Sequence, residues 1–275
     1  MSTVIPIVSH TLRAACSSCS LQELCLPAGL AHDELERLDQ IVNKKRPLKR
    51  GDYLYRAGGS LQSLYAVRTG FFKSCVMHDD GREQVAGFHM AGELLGMDGI
   101  GSGKHMCDTV SLEDSEVCEI PFNDLEKLSR DIPTLQQHFH RIMSREIARD
   151  YGVMLLLGSM RAEERLAAFL LNLSQRFAAR GYSSKSFLLR MTRNEIGSYL
   201  GLKLETISRA LSHFQTEGII AVQNKSVEIK DADRLRAVEK LERGGDREIG
   251  DDQLGSTRIV KPPAAEEQRR QIIGL

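Results

Sequence analysis

Apolar side chains recur at helical spacing through the middle of the chain, in residues 132–157. Pro133 suits the first turn of a helix, and no further proline or glycine interrupts the segment before Gly152. One stripe advances 18 residues in five steps, the α-helical period, through Phe139, Met143, Ile147, Asp150, Met154 and Leu157. The acidic residue has two interpretations. Either Asp150 faces solvent at the edge of a packed stripe, or the helix pairs with its own copy and two Asp150 carboxylates repel each other.

Short β-type runs separated by glycines precede this helix. Eleven of the 23 glycines lie between Gly51 and Gly103. The runs with β-forming composition lie at residues 63–67, 71–77, 84–90 and 115–120. Parallel strands would need crossovers of about a dozen residues between them, and the chain has no room for these. We therefore expect an antiparallel roll or barrel.

After the long helix, residues 161–180 predict a second amphipathic helix. Thr192 and Glu195 then form a capping box in front of a short helix, and Gly201 permits a tight turn into a helix at residues 204–217. The outer face of that last helix carries Glu205, Ser208, Arg209 and Ser212. This is the pattern of a helix-turn-helix, with polar groups at the exposed front of the second helix.

Further short runs complete this region. Residues 187–191 predict a strand, and residues 218–222 and 225–229 predict a β-hairpin wing. Residues 161–230 hold 11 Lys and Arg against 6 Asp and Glu, a net charge of +5, although the whole chain is neutral. That excess favours a polyanion as partner. The region therefore predicts nucleic-acid binding; the alternative is a small helical hairpin with ordinary solvated polar residues.

The composition sets wider bounds. A chain of 275 residues with 41% hydrophobic content can form two domains. No apolar run approaches the roughly 20 residues that span a membrane, and the N-terminal segment lacks the charged region of a signal peptide. We therefore expect a cytoplasmic protein. No catalytic motif such as G-x-S-x-G, HExxH or a P-loop is present, which argues against an enzyme. The charged, glycine-punctuated residues 241–275 predict disorder.

Three of the six cysteines form a C-x2-C-x5-C cluster: Cys16, Cys19 and Cys25. Thiolates are preferred ligands of zinc and of iron–sulfur clusters, and these three can reach one centre if the intervening chain curls. No second cysteine pair lies nearby, so a fourth ligand must come from Cys75, Cys107 or Cys118, and the spacing does not choose among them. The alternative is a set of incidental surface thiols.

A glycine-rich roll, a long helix and a winged helix-turn-helix in that order resemble the CRP/FNR family of bacterial transcription regulators. The N-terminal cysteines make the chain similar to the FNR branch, the oxygen-sensing iron–sulfur regulators. The likeness covers residues 16–229. Besides the cysteines, it rests on residues 117–121 (VCEIP), 162–168 (AEERLAA) and 205–209 (ETISR).

The resemblance implies an α+β fold with five segments. These are a cluster-binding segment (1–30), an antiparallel β-roll (31–131), a dimerisation helix (132–160), a winged helix-turn-helix (161–240) and a disordered tail (241–275). It also implies a [4Fe–4S] cluster whose ligands are Cys16, Cys19, Cys25 and Cys118. Cys75 and Cys107 are then spare thiols, which we expect to be buried; a minor alternative makes Cys107 a substitute ligand.

For the long helix, the resemblance implies a homodimer that forms when the cluster is present. Asp150 would keep the cluster-free chain monomeric by like-charge repulsion, and Ile147, one turn earlier, would be a main apolar contact. The expected protein is active without oxygen and inactive with it.

For DNA, the resemblance implies an inverted repeat of the type TTGAT-N4-ATCAA. Arg209 can bond guanine O6 and N7, Glu205 can accept from cytosine N4, and Ser208 would contact thymine or phosphate. RNA polymerase would be met through surface loops such as residues 79–83. No cyclic nucleotide is expected, because residues 92–109 hold no Arg-Ser pair and Lys104 is their only cation. Competing hypotheses are the same DNA-binding protein with a structural zinc, and an iron–sulfur electron carrier.

Overall fold

The computed structural model describes residues 15–42, 44–78 and 80–240. The predicted disordered tail and Asp79 of the predicted polymerase-contacting turn lie outside the described residues. The chain divides into two compact units, residues 1–140 and 141–275.

The first unit contains two antiparallel sheets and two short helices. Its strands are β1 (Lys44–Leu48), β2 (Tyr53–Tyr55), β3 (Ser63–Thr69), β4 (Phe71–Met77), β5 (Glu83–Met90), β6 (Leu94–Leu95), β7 (Asp108–Ser111) and β8 (Ser115–Pro121). One sheet has the order β1-β8-β3-β6 and the other β2-β7-β4-β5. Helix α1 (His32–Ile41) precedes the strands and α2 (Phe122–Asp131) follows them. The predicted antiparallel roll is confirmed.

The core of the roll is apolar. Its largest buried cluster consists of Leu48, Leu54, Tyr65, Val67, Phe72, Leu95 and Val117. Because side chains alternate along a strand, Val117 in β8 points into this core while its neighbour Cys118 points to the opposite face of the sheet. This alternation places one cysteine on the outside of the roll.

Helix α3 (Pro133–Ser159) runs for 27 residues and lies where the apolar pattern of residues 132–157 predicts a long helix. It begins in the first unit and continues into the second. Several large apolar side chains of its second half are exposed on the single chain, namely Ile147, Tyr151, Met154 and Leu155.

The second unit continues with α4 (Ala162–Ala178), β9 (Ser186–Leu188), α5 (Arg193–Leu200), α6 (Leu204–Thr216), β10 (Ile220–Gln223), β11 (Ser226–Ile229) and α7 (Ala232–Lys240). Strands β10, β11 and β9 form a small antiparallel sheet in that order. The helix pair and the wing follow the prediction, but β9 is shorter than residues 187–191. Helix α7, which the sequence pattern did not predict, packs against α4. Among the described helices, none combines the length and the apolar character needed to cross a membrane.

Candidate metal centre and nucleic-acid interface

The cysteine-rich segment of the first unit is a curled loop. The amide N–H of Cys19 donates to the carbonyl oxygen of Cys16 at 3.1 Å, and the N–H of Cys25 donates to that of Leu21 at 3.0 Å. A short 3-10 turn at Gln22–Leu24 lies between them. These local hydrogen bonds curl the chain and place the three cysteines on one compact loop.

The cysteine-rich loop and strand β8 line one pocket on the outer face of the roll. Cys16, Cys19, Cys25 and Cys118 all line it, and it encloses about 490 Å³ of space free of protein atoms, including its opening to solvent. Cys118 is positioned by the sheet, since it lies opposite Lys45 of β1 and Ala66 of β3. The rest of the wall is mostly apolar, with Leu26, Pro27, Leu38, Val42, Ala66 and Ile120.

The other two cysteines lie elsewhere in the roll. Cys75 and Cys107 are buried, as expected for spare thiols, and neither lines the pocket. The Cys107 Sγ lies 3.4 Å from a carboxylate oxygen of Asp98, and the Cys75 Sγ lies 3.7 Å from the carbonyl oxygen of Asp108. Of the three candidates for the fourth thiol, only Cys118 is in the pocket.

Burial disfavours the charged thiolate form of three of the pocket cysteines, Cys16, Cys25 and Cys118. Burial raises the pKa of Cys25 to about 12, with further contributions from Cys118 and Cys19. Burial also raises the pKa of Cys16 and of Cys118, and Arg68 offsets part of the rise at Cys118. Binding of a metal therefore requires these thiols to release protons.

The donor set fits a thiolate-bound group better than an oxygen-bound ion, because four sulfurs face a largely apolar space. Within residues 15–42, 44–78 and 80–240, no three His, Cys, Asp or Glu side chains converge closely enough to hold a single metal ion. The four cysteines are assembled around the pocket and are not drawn together on one point.

Three contacts anchor the cysteine loop. The Asp39 carboxylate of α1 accepts from the amide N–H of Cys16 and, at 2.7 Å, from the hydroxyl of Ser17. At Gly92, which has φ +87°, a Cβ would come within 2.9 Å of the Leu24 Cβ, so the loop packs directly on the backbone of the roll. On α3, the His138 Nε2 lies 3.1 Å from the carbonyl oxygen of Cys25, where its N–H can donate. The sequence pattern signalled neither Asp39 nor His138.

The helix-turn-helix of the second unit is built as its sequence predicts. The amide N–H of Glu195 donates to the Thr192 hydroxyl at 3.2 Å, and the N–H of Thr192 donates to the Glu195 carboxylate at 2.7 Å. This reciprocal capping box starts α5. Gly201 ends α5 in the left-handed region, at φ +63°, which an L side chain rarely adopts. The tight turn into α6 follows from that residue.

Helix α6 buries one face and exposes the other. Ile207, Leu211 and Phe214 are buried. Glu205, Arg209 and Ser212 are exposed, while Ser208 is half-buried. The Ser208 hydroxyl lies 3.4 Å from a guanidinium nitrogen of Arg193, the first residue of α5. Arg193 is exposed and was missed by sequence reasoning. Its guanidinium adds a positive charge beside the predicted base-reading side chains.

On α3, the predicted seam is exposed in the single chain. Ile147 is 53% and Met154 is 61% exposed, values high for such large apolar side chains. Asp150 is also exposed, yet partial desolvation by its surroundings raises its pKa, while Arg149 opposes the rise. Both apolar side chains and the acid are thus available on the helix surface.

Comparison with known proteins places these features in a family. The family model of the Crp-like helix-turn-helix domain matches residues 164–238, and that of the cyclic nucleotide-binding domain matches residues 45–131. The fumarate and nitrate reduction regulatory protein of Salmonella typhimurium strain LT2 is 50% identical over 223 residues, which cover 81% of this chain and 89% of that protein. Its namesake from Escherichia coli strain K12 is 50% identical over 220 residues, 80% of this chain and 88% of that protein.

The chain belongs to the CRP/FNR family of transcription regulators. Among solved structures, FixK2 from Bradyrhizobium japonicum has a TM-score of 0.66 at 29% identity, over 71% of this chain and 96% of that one. A CRP/FNR-family regulator from Thermus thermophilus, TTHA1359, has a TM-score of 0.58 at 18% identity, over 72% of this chain and 98% of that one, and shows the fold alone. As a member of the CRP/FNR family, the chain is a DNA-binding transcription regulator and not an enzyme.

Proposed function

We propose that this regulator responds to oxygen through a [4Fe–4S] cluster bound by Cys16, Cys19, Cys25 and Cys118. Without oxygen the loaded chain dimerises along α3, binds inverted repeats of the type TTGAT-N4-ATCAA, and activates or represses transcription. The observation that carries this proposal is the pocket that the three loop cysteines share with Cys118. The relatives are fumarate and nitrate reduction regulatory proteins, which supports the proposal, since fumarate and nitrate are reduced in place of oxygen.

A bound iron–sulfur cluster would supply sensitivity to oxidation, while the chain would supply the thiol ligands and the contacts that link them to the long helix. Loading would require the thiols to release their protons. Thiolate charge is unfavourable beside the apolar wall, and bonding of the sulfurs to iron would offset that cost. The loop carries this change to the long helix, because the Cys25 carbonyl oxygen and the His138 ring are in direct contact.

On α3 two effects oppose each other in a dimer. Burial of Ile147 and Met154, both exposed in the single chain, favours association. Two Asp150 carboxylates brought close in a partly desolvated seam would cost on the order of a few kcal/mol. The dimerisation equilibrium is therefore near balance, and a change of similar size at the cysteine loop is enough to tip it.

At the DNA, each α6 would lie in the major groove of one half-site. Arg209 would donate to guanine O6 and N7, and Glu205 would accept from cytosine N4. Ser208, together with Arg193, would contact thymine or phosphate. RNA polymerase would meet the surface turn at residues 79–83, where the Arg82 Nε pairs with Asp80 at 2.7 Å.

We further infer that the roll, despite its match to the cyclic nucleotide-binding family, binds no cyclic nucleotide. Residues 92–109 contain Lys104 as their only Lys or Arg. Asp98 in the same segment places a carboxylate 3.3 Å from the Nδ1 of the buried His105. That local negative charge disfavours a cyclic phosphate, which needs a cation.

Iron and sulfide assays on anaerobically purified variants test the cluster assignment. Cys118→Ser removes a thiol of the pocket and is expected to lower iron content sharply. Cys107→Ser removes a buried thiol outside the pocket and is the matched control. Equal iron in both variants, or zinc in place of iron in the wild type, would contradict the assignment and leave the DNA-binding function standing.

A further inference from the structure

The guanidinium of Arg165 connects the ends of two helices in the second unit. From the first turn of α4, its Nε donates to the carbonyl oxygen of Met160 at 2.8 Å. One terminal nitrogen, Nη2, donates to that of Leu157 at 2.9 Å, and the other, Nη1, to that of Leu200 at 3.0 Å. Leu157 lies in the last turn of α3, Met160 directly follows that helix, and Leu200 is the last residue of α5.

These acceptors are groups that a helix cannot satisfy by itself. The last carbonyls of a helix have no intrahelical partner and carry the negative end of its dipole. Arginine alone offers several donors in one rigid plane, and its bonds to carbonyl oxygens here are charge-assisted. A single side chain thus caps the long helix and the first helix of the DNA-binding pair together.

The space around this contact is closely filled. A Cβ built on Gly201 would lie 3.4 Å from the Arg165 Nη1 and 3.3 Å from the Leu157 Cδ2. A side chain at position 201 would therefore contact both the arginine and the leucine. Between α3 and α4 stand only Met160 and Arg161, so this two-residue connection is where the two helices can pivot.

We infer that Arg165 is a positioning residue that fixes the angle between the long helix and the helix-turn-helix, and so sets which spacing of half-sites a dimer can read. A small rotation at residues 160–161 is amplified at α6, which lies beyond α4 and α5 in the chain. In a symmetric dimer the same rotation occurs twice and changes the separation of the two recognition helices. The inference rests on the proposed binding of inverted repeats by a dimer.

The test compares DNA binding by anaerobically purified, iron-loaded full chains. Three duplexes are titrated: the inverted repeat with the four-base spacer, and repeats with one base pair more or less between the half-sites. For Arg165→Gln we expect affinity for the first duplex to fall about tenfold, as for loss of charged hydrogen bonds. Affinity for the altered duplexes should fall much less, so that discrimination between spacers shrinks.

Arg180→Gln is the matched control. Arg180 stands just beyond the end of the same helix, and its guanidinium donates at 2.6 Å to a carbonyl of that helix, Arg176. This variant loses the same charge without touching the junction and should keep the wild-type discrimination. Arg165→Lys keeps the charge but cannot donate to three carbonyl oxygens at once, so its discrimination between spacers should lie between those of the wild type and Arg165→Gln. If Arg165→Gln does not fold, Arg165→Lys serves as the test variant.

Uniform weakening of all three duplexes by Arg165→Gln would overturn the inference, since it would reveal only a general structural contact. Unchanged discrimination in either Arg165 variant would overturn it too. A wild-type dimer that binds the repeat but ignores spacing would also refute the inference while leaving the proposed function intact. A wild-type chain that does not bind the repeat at all would refute the proposed function itself.

Discussion

The helix-turn-helix and the cysteine pocket are organised in opposite ways. In the former, polar groups are paired within the chain: the capping box at Thr192 and Glu195 closes on itself, and Arg165 satisfies helix ends. In the latter, four half-buried cysteines line one pocket, and burial raises the pKa of Cys16, Cys25 and Cys118. The helix-turn-helix is complete as folded, whereas the cysteine pocket, as proposed, would be completed by a bound iron–sulfur cluster. In that proposal a change at the pocket need not reshape the helix-turn-helix.

The largest effect should come from removing Arg209, the proposed base-reading arginine. Arg209→Ala should lower affinity for the inverted repeat by roughly 2–6 kcal/mol, because about 1–3 kcal/mol of discrimination is lost at each half-site. Iron content and dimerisation should stay as in the wild type, since Arg209 is exposed on the DNA-binding unit. Fluorescence anisotropy with labelled duplexes measures the loss.

Arg236→Ala is the control for that variant. Arg236 is an exposed arginine paired with Asp233 at 2.7 Å, and it belongs to α7 and not to α6, which carries the predicted base-reading residues. Affinity that falls equally in both variants would indicate a nonspecific charge effect, and loss of iron in Arg209→Ala would contradict the independence of the two regions.

The next largest effect should come from the acid on α3. Asp150→Ala removes the like-charge repulsion and should tighten dimerisation of the cluster-free chain in air by about a hundredfold. Sedimentation velocity over a concentration series measures it. Glu146→Gln removes the other carboxylate of α3, which is already paired with Arg149 at 2.9 Å, and should leave the chain monomeric. A monomeric Asp150→Ala protein would show that the repulsion does not control association.

A smaller effect should follow from loosening the link between the loop and the helix. His138→Leu removes the contact with the Cys25 carbonyl oxygen and should weaken dimerisation of the loaded chain roughly three- to tenfold, the size of one hydrogen bond. Iron content should remain unchanged. His140→Leu changes an exposed histidine of the same helix and serves as the control. If the two variants dimerise equally, His138 does not couple the cysteine loop to dimerisation along α3.

The smallest effect concerns pH. Partial desolvation already raises the pKa of Asp150, and a facing copy in the dimer would raise it further. The dimer then binds more protons than the monomer, so dimerisation of the cluster-free chain should strengthen as pH falls from about 7 towards 5 and weaken as it rises. Asp150→Asn should abolish this dependence. If dimerisation of Asp150→Asn still depends on pH, a titrating group other than Asp150 causes the dependence.

Sequence patterns captured the elements whose causes are local. The period of α3, the glycine-separated strands and the capping box of α5 each depend on neighbouring residues, and all three are confirmed. The fourth thiol of the pocket depends on a distant strand. The spacing of the cysteines left Cys75, Cys107 and Cys118 open, and only the alternation of β8 turns Cys118 towards the loop.

Contacts made across long sequence distances could not be predicted. His138 meets Cys25 from 113 residues away, and Arg165 meets Leu200 from 35 residues away. His138 lies in no motif, and the segment AEERLAA that contains Arg165 does not reveal which carbonyls the arginine contacts, because a histidine or arginine on a helix is usually a solvated side chain. Helix α7 was missed for another reason: it is rich in charge, and Leu235 is its one fully buried large side chain among the described residues.

The most direct measurement follows absorbance and mass of one anaerobic sample while air is admitted. Sedimentation with absorbance detection records the visible band of bound iron–sulfur and the oligomeric state together. We predict a coloured dimer that bleaches and dissociates to a monomer in step. A colourless dimer, or a coloured protein whose mass does not change when the colour is lost, would contradict control of the α3 seam by the cysteine pocket.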